Sequence, residues 1–281
     1  MAQRKKLLTG RTRPNLLGGA FGWLWLIIIL VPIYYGILAS FRTQGEYYAS
    51  NPLVPPSSLN MRAYKLVIEN DFGRYLMNSV IITVGTVVIL LFVSILGAYA
   101  IVRGQSKASQ RLFRLVLLGL AIPAQATIVP LYYMIVKMGL YDTLIALILP
   151  GVGFGIPITI LILVNFVRDI PGELFESMTV DGAGSWRTML SLVLPLARPA
   201  LVTVGIYDAL QVWNGFLFPL VLTGKPEVRV LPYSLFTYQG EHGADQPAIL
   251  AAVIVSCLPI LALYIVGRRQ LVAGLTAGFG K

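Results

Sequence analysis

PGELFESMTVDGAGSWRTMLSLVLPLARP, residues 171–199, is a polar, glycine-containing stretch set between two long apolar runs. Its apolar residues recur at helical spacing, which predicts two short helices that each bury one apolar stripe. The stripe residues are Leu174, Phe175 and Met178 in the first helix, and Trp186, Met189, Leu190, Val193 and Leu194 in the second. The 171–199 segment is therefore predicted to be a pair of half-buried helices.

Punctuation residues mark the ends and the middle of this helix pair. The sequence DGAG at 181–184 tolerates positive φ, so a sharp bend is expected between the helices. Pro171 suits the first helical position, Ser185 is expected to cap the second helix, and Pro195 is expected to end it.

Composition places the whole chain in a membrane. The 281 residues are 57% hydrophobic and only 12% charged, whereas soluble domains are about a quarter charged. A helix that crosses a bilayer needs about 20 mostly apolar residues. Six stretches are long enough, at residues 22–41, 79–102, 115–136, 143–167, 200–222 and 248–267. We predict an all-α, polytopic membrane protein with six transmembrane helices in a single domain that covers residues 1–281.

The chain has a net charge of +10, and its basic residues are unevenly distributed between the two sides of the membrane. With six spans and a cytoplasmic N-terminus, 15 of the 22 basic residues fall on the cytoplasmic side. This bias predicts that both termini and the loop 168–199 are cytoplasmic. The basic residues are not interleaved with exposed aromatic side chains, so nucleic-acid binding is not expected. The first apolar stretch is longer than a signal-peptide core, which indicates an uncleaved first helix.

Two features leave alternatives open. The hydrophilic segment 42–78 is either a docking surface for an outer partner or a plain connector. The third and fourth spans contain four prolines, Pro123, Pro130, Pro150 and Pro157. Each proline removes a backbone hydrogen bond, so these helices either bend around a cavity or carry simple packing kinks.

The fifth span contains polar side chains that a lipid-facing helix would not carry. Asp208, Gln211 and Asn214 follow one another at intervals of three residues, and Trp213 lies beside them. Such a stripe usually faces a bundle interior or an aqueous path. We therefore predict that these four residues line a translocation route, with an interhelical hydrogen-bond clamp as the alternative.

Enzyme chemistry is not evident in the sequence. No phosphate-binding G-x-x-x-x-G-K-[ST] loop is present, so any ATP hydrolysis must belong to another polypeptide. The single cysteine, Cys257, lies in the sixth span, and the single histidine, His242, lies in a loop. A metal site is not expected from one cysteine and one distant histidine.

The 171–199 segment also resembles a known family motif. Glu176-Ser177-Met178, Gly182 and Leu192-Val193-Leu194-Pro195 match the spacing of the EAA motif of ABC importer permeases, E-A-A-x3-G-x9-I-x-L-P. Elsewhere AYAIVR, IPAQATIVPLYYMIVKMGLYDTLIALILP, WNGFLFPLVLT and GLTAGFGK are similar to the maltose-type group of carbohydrate permeases. Members of that group often carry an acidic residue after Trp-Asn, where this chain has Gly215.

The resemblance implies a transport subunit of an ATP-driven sugar importer in a bacterial-type cytoplasmic membrane. It implies a second permease subunit, different from this one, two ATP-binding subunits and an extracytoplasmic solute-binding protein as partners. ATP and Mg would be bound by the ATPase chains, with no cofactor in this one. The resemblance makes the 171–199 segment a coupling helix that contacts the ATPase through Glu176, Ser177, Met178, Asp181, Gly182, Ala183, Leu194 and Pro195.

Other functions remain open at the level of sequence. The same machine could carry a non-sugar solute such as a glycerol phosphate or another polyol derivative. A secondary transporter or channel would be expected to show internal repeats and several intramembrane acids. A structural membrane scaffold would have no need of the bent 171–199 segment.

Overall fold

The computed structural model describes residues 16–104, 106–240 and 243–277, and these are mostly helical. The helices are α1 (Leu16–Ser40), α2 (Gln44–Ala49), α3 (Arg62–Glu69), α4 (Phe72–Gly104), α5 (Lys107–Leu118), α6 (Ile128–Lys137), α7 (Ile145–Arg168), α8 (Gly172–Val180), α9 (Ser185–Thr188), α10 (Leu194–Trp213), α11 (Leu217–Leu222), α12 (Leu231–Ser234) and α13 (Gln246–Ala277). Strands β1 (Gln239–Gly240) and β2 (Gly243–Ala244) form a two-residue antiparallel pair. The all-α prediction is confirmed. His242 lies outside the described residues.

Five of the described helical stretches are long and apolar enough to cross a membrane. They are Leu16–Ser40, Phe72–Gly104, Ile145–Arg168, Ser185–Trp213 and Gln246–Ile265. A sixth crossing exists if the bent pair Lys107–Ala121 and Ala124–Lys137 forms one broken span. Six crossings were predicted, and the described helices give five, or six if the bent pair is counted as one span. Two of them differ in shape from the prediction.

The third predicted span, 115–136, is not one continuous helix. Its two halves meet at Ile122 and Pro123 and are bent by 94°. Pro123 has no N–H to donate, and it holds Ile122 in an extended conformation with φ −89° and ψ 109°. At Pro123 the span is therefore sharply broken rather than continued as one helix.

The fifth predicted span, 200–222, begins earlier and ends earlier than expected. Helix continues from Ser185 through a π turn at Met189–Val193 to Trp213, and α11 is a separate short helix. The prediction that Pro195 ends a helix is wrong. Leu194 N–H reaches back five residues to Met189 O, and this wider turn accommodates the missing N–H of the following proline. Ser185 is also not the N-cap, a position that Gly184 occupies.

Helices α4 and α7 pack most closely, through small residues. A β-carbon built on Gly151 would lie 2.9 Å from Thr86 Cγ2, and one built on Gly155 would lie 2.5 Å from Leu90 Cδ2. Thr86 and Leu90 lie one turn apart on α4, so they fill the spaces above the two glycines. The two helices and α10 then enclose a core that includes Ile95, Leu163 and Val164.

Gly155→Ala is expected to destabilise this α4–α7 contact by about 1–3 kcal/mol, because the added methyl group would displace the buried side chain of Leu90. Gly153→Ala is the matched control, since nothing lies within 4 Å of its β-carbon position. Thermal midpoints of the purified protein in detergent would measure the difference. Equal midpoints for the two variants would contradict the assignment of Gly155 to a tight contact.

At one end of the bundle the connecting loops are joined to each other. We call this the loop end, and it comprises residues 41–71, 138–144, 214–240 and 243–245. Arg62 forms an ion pair with Asp245 at 2.9 Å. Gln44 Nε2 donates to Ala244 O at 2.8 Å. These contacts connect loops that are about two hundred positions apart in the chain, so the loop end forms one continuous surface.

Asp142 makes a further connection within the loop end. It has φ of 60°, which an aspartate tolerates better than most residues. Its Oδ1 accepts hydrogen bonds from Gly224 N at 2.5 Å and Lys225 N at 3.0 Å. Burial acts to raise the pKa of Asp142, but the Lys225 and Gly224 N–H donors and the positive charge of Lys225 together outweigh it and leave that pKa below its usual value. The ionised carboxylate therefore holds the α6–α7 turn against the loop after α11.

Candidate transport site

The bend of the 171–199 segment is a helix C-cap of the Schellman type. Helix α8 ends at Val180, and Gly182 follows with φ of 70°. Gly182 N donates to Thr179 O at 3.0 Å, and Ala183 N donates to Met178 O at 2.9 Å. This pair of reversed hydrogen bonds satisfies the last carbonyl groups of α8 and turns the chain sharply. The positive φ expected within residues 181–184 is thus found at Gly182.

One side of the segment is anchored in the core of the bundle. Phe175 is buried, and the Arg103 guanidinium lies 4.5 Å from the centre of its ring. In the π turn, Met189 and Val193 are buried in the same cluster, which also contains residues of α4 and α7. Helix α8 and the π turn are therefore packed directly against the helices that carry the core.

The other side of the segment is exposed and mixes apolar with charged residues. Val180 and Trp186 are 87% and 60% exposed. Glu176, Ser177, Asp181 and Pro195 are exposed as well, whereas Met178, Ala183 and Leu194 are half-buried. The predicted stripes are thus only partly buried, since Leu174 and Leu190 also remain exposed. Exposed apolar side chains of this size beside polar ones indicate a surface for a protein partner.

A cavity of about 290 Å³ lies between α4, α7, α10 and α11. Its polar lining includes Ser79, Thr83, Tyr207, Asp208 and Gln211, and its aromatic lining includes Phe154, Trp213, Phe216 and Phe218. Ala124, in the break of the third span, also contributes to the wall. The broken span therefore borders a cavity, as polar or non-helical backbone within a membrane must.

Asp208 is the most buried polar residue of the predicted route. It is 3% exposed, and its Oδ2 accepts a hydrogen bond at 3.0 Å from Thr159 Oγ1 of α7. Thr159 is itself fully buried. Sequence reasoning missed this threonine, although it is a polar residue within an apolar span. The contact joins α7 to α10, so Asp208 combines the two predicted alternatives of cavity lining and interhelical hydrogen bonding.

The other three predicted route residues are divided between different surroundings. Gln211 lines the cavity, and its Nε2 donates to Tyr207 Oη at 3.4 Å. Trp213 lines the cavity too and donates from Nε1 to Ser256 O of α13 at 3.3 Å. Asn214 is exposed and donates back to Leu210 O at 2.8 Å. The single polar stripe expected on one helix face is therefore not formed by all three polar residues, because two steps of three residues place Asn214 about 120° around the helix from Asp208.

Tyr207 is a further polar residue of the cavity lining, and it was not predicted from the sequence. It is 43% exposed, lies one turn from Gln211, and also lines the cavity. Tyrosine occurs commonly in membrane helices, so its identity alone carried little signal. Within the described residues no cluster of three or more metal-ligating side chains is present.

A bundle of apolar helices, a cavity lined by aromatic side chains and an intramembrane carboxylate, and an exposed bent segment together indicate a membrane transport protein. Residues 91–271 match the family described as binding-protein-dependent transport system inner membrane component. The chain belongs to this family of permeases, and it is an inner-membrane transport subunit.

Individual relatives agree with this assignment. The chain is 31% identical over 258 residues to the permease protein of a diacetylchitobiose uptake system of Streptomyces coelicolor, covering 91% of this chain and 85% of the relative. It is 33% identical over 264 residues to the permease protein of the glucose import system of Saccharolobus solfataricus, covering 91% and 92%.

A solved structure shares the fold. It is a bacterial ABC transporter involved in the import of the acidic polysaccharide alginate, and the match has a TM-score of 0.80 with 21% sequence identity. The superposition covers 90% of this chain and 95% of that chain. At this level of identity the likeness establishes the fold.

Proposed function

We propose that this chain moves a sugar or oligosaccharide across the cytoplasmic membrane as one permease subunit of an ATP-driven importer. Relatives named for glucose and diacetylchitobiose import support the carbohydrate class. The observation that carries the proposal is the 171–199 segment, which is anchored in the core by Phe175 and exposes a mixed surface around Glu176. Such a segment can receive movement from a partner and pass it to the bundle.

The energy is supplied by separate chains in this proposal. Two ATP-binding subunits bind ATP and Mg and contact the exposed side of the 171–199 segment from the cytoplasm. Both termini of this chain lie on that side, as the distribution of basic residues predicts. Glu176 supplies a polar contact, while Val180 and Trp186 supply apolar area that would otherwise remain in water.

The route for the solute is the cavity beside Asp208. A cavity that contains an acidic side chain and is bordered by a broken span needs a protein or aqueous neighbour, because lipid cannot satisfy exposed backbone groups. A second, different permease subunit would cover this face and complete the route between the two bundles. Rocking of the two bundles would then expose the route to alternate sides of the membrane.

The remaining partner docks on the loop end in this proposal. An extracytoplasmic solute-binding protein needs a continuous surface, and the contacts from Arg62 to Asp245 and from Gln44 to Ala244 join the separate loops into one. Segment 42–78 is then a docking surface rather than a plain connector.

Reconstitution with the partner subunits tests this function. Glu176→Lys is expected to abolish the stimulation of ATP hydrolysis by the loaded binding protein, because it reverses the charge at the exposed contact. Glu173→Lys, at another exposed position of α8 outside the motif, is the control and should retain most of the stimulation. Assembly would be checked by size-exclusion chromatography. Full stimulation in an assembled Glu176→Lys complex would refute the coupling role.

A further inference from the structure

We infer that the cavity beside Asp208 discriminates by charge, accepting neutral or cationic saccharides and excluding those with carboxylate, phosphate or sulfate groups. This inference rests on the proposed function, in which the cavity is part of the solute route. It narrows the substrate class and removes sugar phosphates and glycerol phosphates from the candidates.

The described lining of the cavity carries a negative charge that no lining cation balances. Among the described residues that line it, Asp208 is the one with a charged side chain, and no lysine, arginine or histidine accompanies it. The ion pairs recorded in the described part of the chain, Arg62 with Asp245 and Arg74 with Asp71, involve other residues. The Asp208 carboxylate is therefore stabilised by the Thr159 hydroxyl but is not neutralised.

The electric field of the Asp208 carboxylate is strong enough to affect a charged solute in the cavity. Asp208 is 3% exposed, so bulk water and salt screen its charge only weakly. For two unit charges about 6 Å apart in a partly buried site, the Coulomb interaction corresponds to a change of roughly tenfold to a hundredfold in an equilibrium constant. An anionic group that enters the cavity would be disfavoured by this factor, and a cationic group would be favoured.

The uncharged side chains of the cavity lining suit a polyhydroxylated solute. Thr83 is 8% exposed, and its buried hydroxyl has no hydrogen-bond partner among the described residues. Gln211 offers both a donor and an acceptor. Phe154 and Trp213 add flat apolar surface. Sugar hydroxyls can donate to the carboxylate and accept from Thr83, while the C–H face of the ring covers the aromatic side chains.

Charged thiol reagents can measure this field without knowledge of the natural substrate. Cys257 is first changed to serine, since it is exposed and is the one cysteine of the chain. Gln211→Cys then places a thiol in the cavity, and Asn214→Cys places a reference thiol one turn further on, outside the cavity lining. Reaction rates with a cationic and an anionic methanethiosulfonate of similar size are measured on the full chain in proteoliposomes.

We expect the ratio of cationic to anionic rates to be at least about tenfold higher for Gln211→Cys than for Asn214→Cys. Adding Asp208→Asn should bring the two ratios together. Any effect of Asp208 on the reactivity of the thiol itself cancels in the ratio. Thr159→Val removes the hydrogen bond, and at alkaline pH, where the carboxylate stays ionised, the high ratio should persist in that variant.

The outcomes separate this inference from the proposed function. If both reagents reach Gln211→Cys but Asp208→Asn leaves the ratio unchanged, charge discrimination is refuted while the aqueous route stands. If Thr159→Val lowers the ratio as much as Asp208→Asn at that alkaline pH, a change of shape rather than charge is responsible, and the inference is again refuted. If neither reagent reacts at Gln211→Cys while both react at Asn214→Cys, the cavity is not an aqueous route, and the proposal for the route falls with it.

Discussion

Gly182→Val is expected to abolish solute-driven ATP hydrolysis in the reconstituted complex while leaving the chain inserted and assembled. Gly182 has φ of 70°, where a β-branched residue is strongly disfavoured. The left-handed conformation costs about 1–2 kcal/mol for an ordinary residue, and more for valine. Unwinding the last turn of α8 would relieve that strain and break the hydrogen bonds of the bend, so the exposed surface of the 171–199 segment would lose its shape.

Gly184→Val provides the matched control for this prediction. Gly184 lies two positions away, has φ of −70° and has no atom within 4 Å of its β-carbon position. Valine is compatible with that extended backbone, so Gly184→Val should retain coupling. If Gly182→Val also couples normally, or if both variants fail alike, the shape of the bend is not what transmits the movement.

Phe175→Ala is expected to have the second large effect, because it removes the anchor of α8. Phe175 is 4% exposed, and its ring contacts the Arg103 guanidinium at the end of α4. Removing a buried phenylalanine side chain costs about 3–5 kcal/mol. We expect a lower thermal midpoint and ATP hydrolysis that no longer drives uptake, since α8 would move without moving α4.

A conservative variant separates packing from the cation contact. Phe175→Leu keeps most of the buried apolar area but removes the aromatic face that Arg103 covers. Its thermal midpoint should fall less than that of Phe175→Ala, and uptake per ATP hydrolysed should remain measurable. Unchanged stability and uptake in Phe175→Ala would show that α8 is held in the bundle by other contacts.

Much of the fold was predictable because its determinants are local. Apolar runs of about twenty residues predict membrane helices wherever they occur. The resemblance of residues 176–195 to a permease motif agrees with the family found by comparison. The position of the bend at Gly182 follows from a residue that tolerates positive φ.

The errors share a different cause, since each depended on packing between distant residues. Pro195 lies within a continuous helix because the π turn before it is held by Met189 and Val193, which are buried against other helices. Trp213 does not only line the cavity, because its indole N–H donates to Ser256 O of α13. No rule about neighbouring residues contains these contacts.

In the candidate site, too, some features follow from the sequence alone and others from tertiary packing. The sequence by itself determined that Asp208 is an acid within an apolar span and that such a group needs a polar or aqueous neighbour, because the cost of a charge in hydrocarbon is a property of the residue and its surroundings. Only the tertiary structure decided that the neighbour is Thr159, 49 positions away, and that the cavity lining contains no described cation. Hydrogen bonds and charge balance across helices depend on which faces meet, and the faces meet only after the chain has folded.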